Sequence, residues 1–414
     1  MVKKDNRITM RQNKVNPFSH RVALSEMQDA MNKGFDFIRL DMRRVKNAYP
    51  NGMIPLLATI DYYKRQGMKF KIDLPNDIQV RNLFFNTNWA HLLLPDKISE
   101  QKTMHYKHLA ARRFRTFQEQ QDLVNEFMDI VIGNLELNKD IITALEWSIN
   151  EITDNVLNHS NSEDGGIVQL SSYPQNHRIA FAVADSGRGI KDSLNESYPD
   201  INSDILAIGE AVKSGVTRNN DIGQGNGLAG TLRIAEQTGG SFSVLSGKGR
   251  LSYYEGKSNR NSYKDLPYYG TVVSADFVDN SDSFSIESAL EFDGVAGGTA
   301  NIIELNYLSE DSKSFKFTMK DESTGFGNRP VGRMIKHKIN NILQTEETIP
   351  VIVDWEGIPI ISSSFADEFM GKLFLELGPM VFSARIRNIG MEPIIHGLLD
   401  KAISQRLTQA NDEI

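Results

Sequence analysis

Cysteine is missing from all 414 residues, which excludes disulfides, thiolate metal sites and a cysteine nucleophile. Nor is there any apolar run long enough to span a bilayer, or a signal-like apolar core among the polar first twenty residues. These absences lead us to expect a soluble, cytoplasmic protein. Charge of one sign is lacking too: 46 basic against 53 acidic residues leave a net charge of −7. No global field therefore draws the chain to nucleic acid or an anionic membrane, although phosphorylated ligands remain open locally. The length leaves room for roughly two to four domains.

What is present centres on Ala144 to Ser160. At about 100° per residue, Leu145, Ile149, Ile152 and Val156 share one helical stripe. Glu151, Asn155 and His159 recur every fourth residue and form a polar row along its flank.

Taken in order, residues 1–20 read as a flexible arm. Phe35 to Met42 reads as a strand, Met53 to Arg65 as a helix and Met68 to Leu74 as a strand, with a further helix near Val80 to Leu94. Residues 21–100 are thus expected to form a small α/β module. Residues 101–119 follow as a linker with exclusively basic charges from Lys102 to Arg115, including Arg112 and Arg113, and with Tyr106, Phe114 and Phe117 interleaved. The run suits either a phosphate-bearing partner or a solvated linker helix with docked aromatics. His105 and His108 lie here without the apolar heptads of a phosphoacceptor hairpin. Helices are expected from Gln118 to Asn158, broken near Asn138.

Two strands follow, and the second, Arg178 to Ala184, alternates large and small apolar residues before running into Asp185-Ser-Gly187-Arg-Gly189. Residues 191–222 read as a lid carrying Lys213 and Arg218, either able to reach a phosphate or simply solvated. Gly223-Gln-Gly225-Asn-Gly227-Leu228 then opens a helix, and Gly270-Thr271 starts a late strand. Glycine after a strand-end carboxylate lets main chain approach a flat ligand. A glycine run opening a helix presents N–H groups and a positive dipole end to an anion.

In this order the boxes Glu151-Ile-Thr-Asp-Asn155, Asp185-Ser-Gly187-Arg-Gly189 and Gly223 to Leu228 resemble the GHKL superfamily of ATPases and kinases over residues 120–280. The resemblance implies an α/β (α+β) fold with a central Bergerat-type sandwich. It also implies ATP and Mg²⁺ as ligands, with Asn155 holding the metal, Asp185 accepting from the adenine amino group and Thr271 supporting that contact. Gly187 and Gly189 would belong to the nucleotide-binding set, and Gly223, Gly225, Gly227 and Leu228 would line the phosphates beneath the lid residues Lys213 and Arg218. Glu151 would be the general base.

Residues 281–414 resemble STAS-like domains through Val351-Ile-Val-Asp354 and Ile360 to Phe369. The resemblance marks Ser364, with Ser363 beside it, as a possible phosphosite, although Phe365 replaces the usual glycine. Ser364 followed by Asp367 also reads as a helix cap. Asp41 and Asp354 each end a strand before a helix, a suggestive internal repeat. The leading reading is an Mg-ATP-binding regulatory switch with slow hydrolysis, acting on protein partners through STAS-like modules. An anti-sigma-type serine kinase, and an ATP-dependent clamp acting as a homodimer, are the alternatives.

Overall fold

The computed structural model describes residues 6–101, 110–213, 227–264, 266–279, 284–290 and 302–412. The chain divides into two compact units: residues 1–127 with 144–297, and residues 128–143 with 298–414.

The first unit is built on a seven-stranded sheet, in the order Lys257–Ser262, Gly249–Tyr254, Ser241–Gly247, Tyr268–Val278, Arg178–Asp185, Gly166–Tyr173, Arg112–Phe114. Every neighbouring pair is antiparallel. Residues 247–269 supply two of these strands, Gly249–Tyr254 and Lys257–Ser262. The expected 101–119 linker is corrected in part: Arg112–Phe114 is the edge strand, with Arg112 paired to Glu100 and Glu126 and Arg113 to Asp61. Lys102, His105, Tyr106, Lys107 and His108 lie outside the described residues.

The large and small alternation of Arg178–Asp185 sorts the two faces of this sheet. One bears Phe181, Val183, Val273 and Phe277; the other bears Ala180, Ala182, Ala184 and Val272. Small side chains admit a close-packed helix, and helix Pro50–Arg65 lies against these strands. Residues 21–100 are therefore not a self-contained module. Ile38, Leu40, Leu57 and Trp89 share one buried cluster with Ile167, Ala182, Ala184 and Val272. Trp89 donates from Nε1 to Gln169 Oε1 at 2.7 Å, so a buried polar pair fixes the docking.

The expected flexible arm at 1–20 is also corrected from residue 6 onward. Arg7–Thr9 pairs in parallel with Phe37–Asp41, and a helix begins at Pro17 under an Asn16–Ser19 capping box. His20 within that helix is fully buried against Thr59, and burial pushes its imidazole down to about 3. It packs as a neutral ring. The helix expected near Val80 to Leu94 is two, Ile78–Asn86 and Trp89–Leu93, because Asn88 adopts φ 63° between them.

In the second unit Phe315–Thr318, Val351–Asp354 and Ile386–Ile389 form a parallel sheet in that order. The third strand starts at Ile386, directly after a helix. Gly378 takes φ 72° and Pro379 restarts the helix, which continues to Arg385. The helix Arg329–Thr345, overlooked in the sequence, is capped by Asn328 and started by Pro330.

Asp41 and Asp354 each end the middle strand of a three-stranded parallel sheet. Each accepts from the backbone N–H two residues on, Arg43 at 3.1 Å and Glu356 at 3.0 Å. The internal repeat therefore extends to strand order and local turn. Arg43 and Arg7 hold the Asp41 carboxyl well below the usual carboxylate range.

Asn341 is fully buried. It donates to the carbonyls of Ile132 (2.7 Å) and Leu135 (2.6 Å) and accepts from Leu137 N–H (2.8 Å). It thus satisfies the Ile132 carbonyl near the end of helix Phe117–Asn134 and two backbone groups just beyond it. Asn341→Leu strands three such groups at about 1–3 kcal/mol each, so a loss of about 3 kcal/mol or more is expected in denaturant unfolding of this unit. An unchanged midpoint would refute this role.

Candidate functional site

Helix Lys139–His159 buries Leu145, Ile149, Ile152 and Val156, which turns the Glu151 and Asn155 flank along the edge of the core. Helix Gly227–Gln237 begins where that flank passes. A Cβ on Gly227 would stand 2.7 Å from Glu151 Oε2 and 3.3 Å from Asn155 Nδ2. The first and third boxes therefore meet at a helix N-terminus, the end of a helix whose dipole suits an anion. Burial, and then the neighbouring Asp154 charge, raise the Glu151 carboxyl above its ordinary value. His159 ends the row, and its carbonyl accepts from Arg188 Nε at 2.8 Å.

The second box starts at the end of strand Arg178–Asp185, where the sheet delivers Asp185 into the interior at 3% exposure. Burial pushes its carboxyl up to about 7, against hydrogen bonds from the Gly187 and Thr271 N–H groups and the charge of Arg65. The Gly187 bond to Oδ1 measures 2.8 Å. Two glycines are dictated by close approach. A Cβ on Gly187 would lie 2.0 Å from the Ser160 carbonyl, and one on Gly270, at φ 110°, would lie 2.2 Å from the Asp185 carbonyl. Asp185, Gly187, Gly189, Gly270 and Thr271 are thus one cluster.

Ser246 fastens it from behind. Its hydroxyl accepts from Ile190 N–H at 2.9 Å and donates to the Gly270 carbonyl at 3.0 Å. Tyr268 donates to the Asp185 carbonyl at 2.9 Å. Sequence reading missed both residues, since a serine or tyrosine on a strand carries no motif.

Gly223, Gly225 and Arg218 lie outside the described residues. Lys213 pairs with Glu210 at 2.7 Å, with its side chain 60% exposed. A separate cavity of about 530 Å³ opens over Ala180, Ala182 and Ser274, between Arg21, Tyr49 and Arg250. It belongs to the small-residue face, and none of the described box residues lines it.

In the second unit Ser362, not Ser364, caps helix Ser363–Ala366, accepting from Phe365 N–H at 3.0 Å. The expected Ser364–Asp367 cap is corrected. Asp367 is engaged by Arg406 (2.6 Å) and Arg329 (3.0 Å), which leaves it no part in capping.

A buried carboxylate on a glycine turn, together with a carboxylate and amide row at a helix start, is the constellation of a GHKL-type ATPase domain. Residues 141–280 match the family model for histidine kinase-, DNA gyrase B- and HSP90-like ATPases. No curated protein matches the chain. Among the described residues no helix is long and apolar enough to cross a membrane.

Proposed function

We propose that residues 120–280 bind Mg-ATP and that the protein is a regulatory switch with slow ATP hydrolysis, reset through Glu151. The observation that carries this reading is the convergence of Glu151 and Asn155 on Gly227, with Asp185 buried beside Thr271. A buried carboxylate with so high a pKa needs a partner, and an adenine amino group is a donor of the right kind. Bound Mg-ATP supplies the phosphoanhydride and a cation on its phosphates, for which the Asn155 amide oxygen is a suitable ligand. Glu151, held above its ordinary pKa, can take a proton from water. The glycines at 223, 225 and 227, with Leu228, would line the phosphates, and Lys213 and Arg218 would close over them. Calorimetry of the purified chain with Mg-ATP tests the reading, and absence of binding sinks it.

The partners are proteins engaged through the two parallel three-stranded sheets, which we assign as STAS-like on their shared strand order and Asx turn. One observation favours a kinase as second reading. Ser363 is exposed at the first position of a helix, where the dipole tolerates a phosphate, with Ser364 half-buried beside it. Phosphopeptide mapping after incubation with ATP should label Ser363 or Ser364 if Glu151 activates a serine. Label on neither these nor a partner leaves the ATPase.

A further inference from the structure

The helix Pro50–Arg65 lies outside the matched residues 141–280, yet its last turn reaches the segments that hold Asp185. Arg65 ends the helix. Its Nη2 donates to the Ser186 carbonyl at 2.6 Å and its Nη1 to Ser186 Oγ at 3.0 Å, while the same Nη1 contacts the Asp164 carboxylate. The fork is largely enclosed, with the Arg65 side chain 21% exposed. One turn earlier, Asp61 takes Arg113 at 2.6 Å, and Arg113 also donates to the Asp164 carbonyl at 3.1 Å. Tyr62 stacks on Tyr269 with centroids 4.0 Å apart and planes 5° from parallel. Tyr269 sits between Tyr268, bonded to the Asp185 carbonyl, and Gly270. A single helical turn thus grips the residue after Asp185, the turn before strand Gly166–Tyr173 and the approach to Thr271.

We propose that Arg65 is a positioning residue for the nucleotide: it fixes the Asp185-Ser186-Gly187 turn from behind, so that ATP affinity depends on how the N-terminal helix is docked. The inference rests on the ATP-binding reading. A planar guanidinium suits the task, because it can serve a carboxylate and a carbonyl together where a point charge serves one. The helix is also held rigidly, through the shared core, on the small-residue face. Displacing it withdraws both the fork and the arginine charge that acts on Asp185. Among the described residues, other charged or titratable groups around this turn include Tyr268, whose hydroxyl burial keeps neutral, the Asp61, Asp164 and Arg113 cluster, and Arg188, which pairs with Glu196.

Calorimetric titration of the full chain with Mg-ATP, from pH 6 to 9, tests this with wild type, Arg65→Met and Arg65→Lys. The methionine variant should bind ATP at least about tenfold more weakly, the scale of one charged hydrogen bond. Its affinity should also fade with acid at a higher pH than wild type, because the charge that helps ionise Asp185 is gone. Arg65→Lys should recover the pH midpoint and only part of the affinity, since it keeps charge and loses the fork. Should the methionine variant not fold, a lysine variant that binds like wild type overturns the proposal. Equal affinity and midpoint in folded Arg65→Met overturn it as well. Wild type that binds no ATP overturns the nucleotide reading, and this inference with it.

Discussion

Asp185→Asn is expected to lose ATP binding by about 10–100-fold or more, while the ligand-free protein becomes more heat-stable at pH 8. The two effects have one cause. Burial moves the carboxyl from its ordinary value of 3.8 up to about 7, so as pH rises the unfolded chain releases this proton well before the folded one does. Stability therefore falls as pH rises between those values and stays low above pH 7, at about 1.4 kcal/mol for each pH unit crossed. The ceiling is on the order of 4 kcal/mol by that conversion. Asparagine keeps an oxygen for the Gly187 N–H and removes the ionisation, which lifts the penalty at pH 8 and changes little near pH 4. It loses the ionised acceptor that an adenine amino group needs, and affinity goes with it. Thermal unfolding at the two pH values and calorimetry decide the matter. A variant less stable than wild type at pH 8, or one that binds ATP equally well, would sink this account of Asp185.

Glu151→Gln should leave ATP affinity within a few-fold and lower hydrolysis by about 10²–10⁴-fold, the range of general base catalysis. The amide preserves size and the approach to Gly227, so the phosphate end is undisturbed. What it cannot do is accept a proton. Because burial and Asp154 raise the Glu151 pKa, wild-type hydrolysis should fall on acidification at a higher pH than for an ordinary glutamate. Phosphate release measured across pH checks both statements. Undiminished turnover in the glutamine variant would remove Glu151 from the chemistry.

Local pattern was informative wherever a feature is spaced by its own element. The Leu145 to Val156 stripe, the Glu151 and Asn155 row and the glycines after Asp185 follow from helical period or from turn chemistry, and all stand where those rules put them. Partner-dependent features were not legible. Residues 6–20 looked like an arm because Arg7–Thr9 is a strand only through Phe37–Asp41. Arg112 and Arg113 looked like a basic face because their acids lie at Glu100, Glu126 and Asp61. Asp367 looked like part of a cap because Arg406, which engages it, is distant in sequence.

The sequence by itself determined which residues make up the three boxes, since residue type and local spacing settle that. Only the tertiary structure decided how those boxes are supported. The alternation in Arg178–Asp185 was visible, but its small face has meaning only with helix Pro50–Arg65 against it. Arg65 itself is one arginine at a helix end until folding brings it to Ser186. Non-local pairing across 121 residues leaves no periodic trace in a chain, because nothing along the backbone repeats between the two partners.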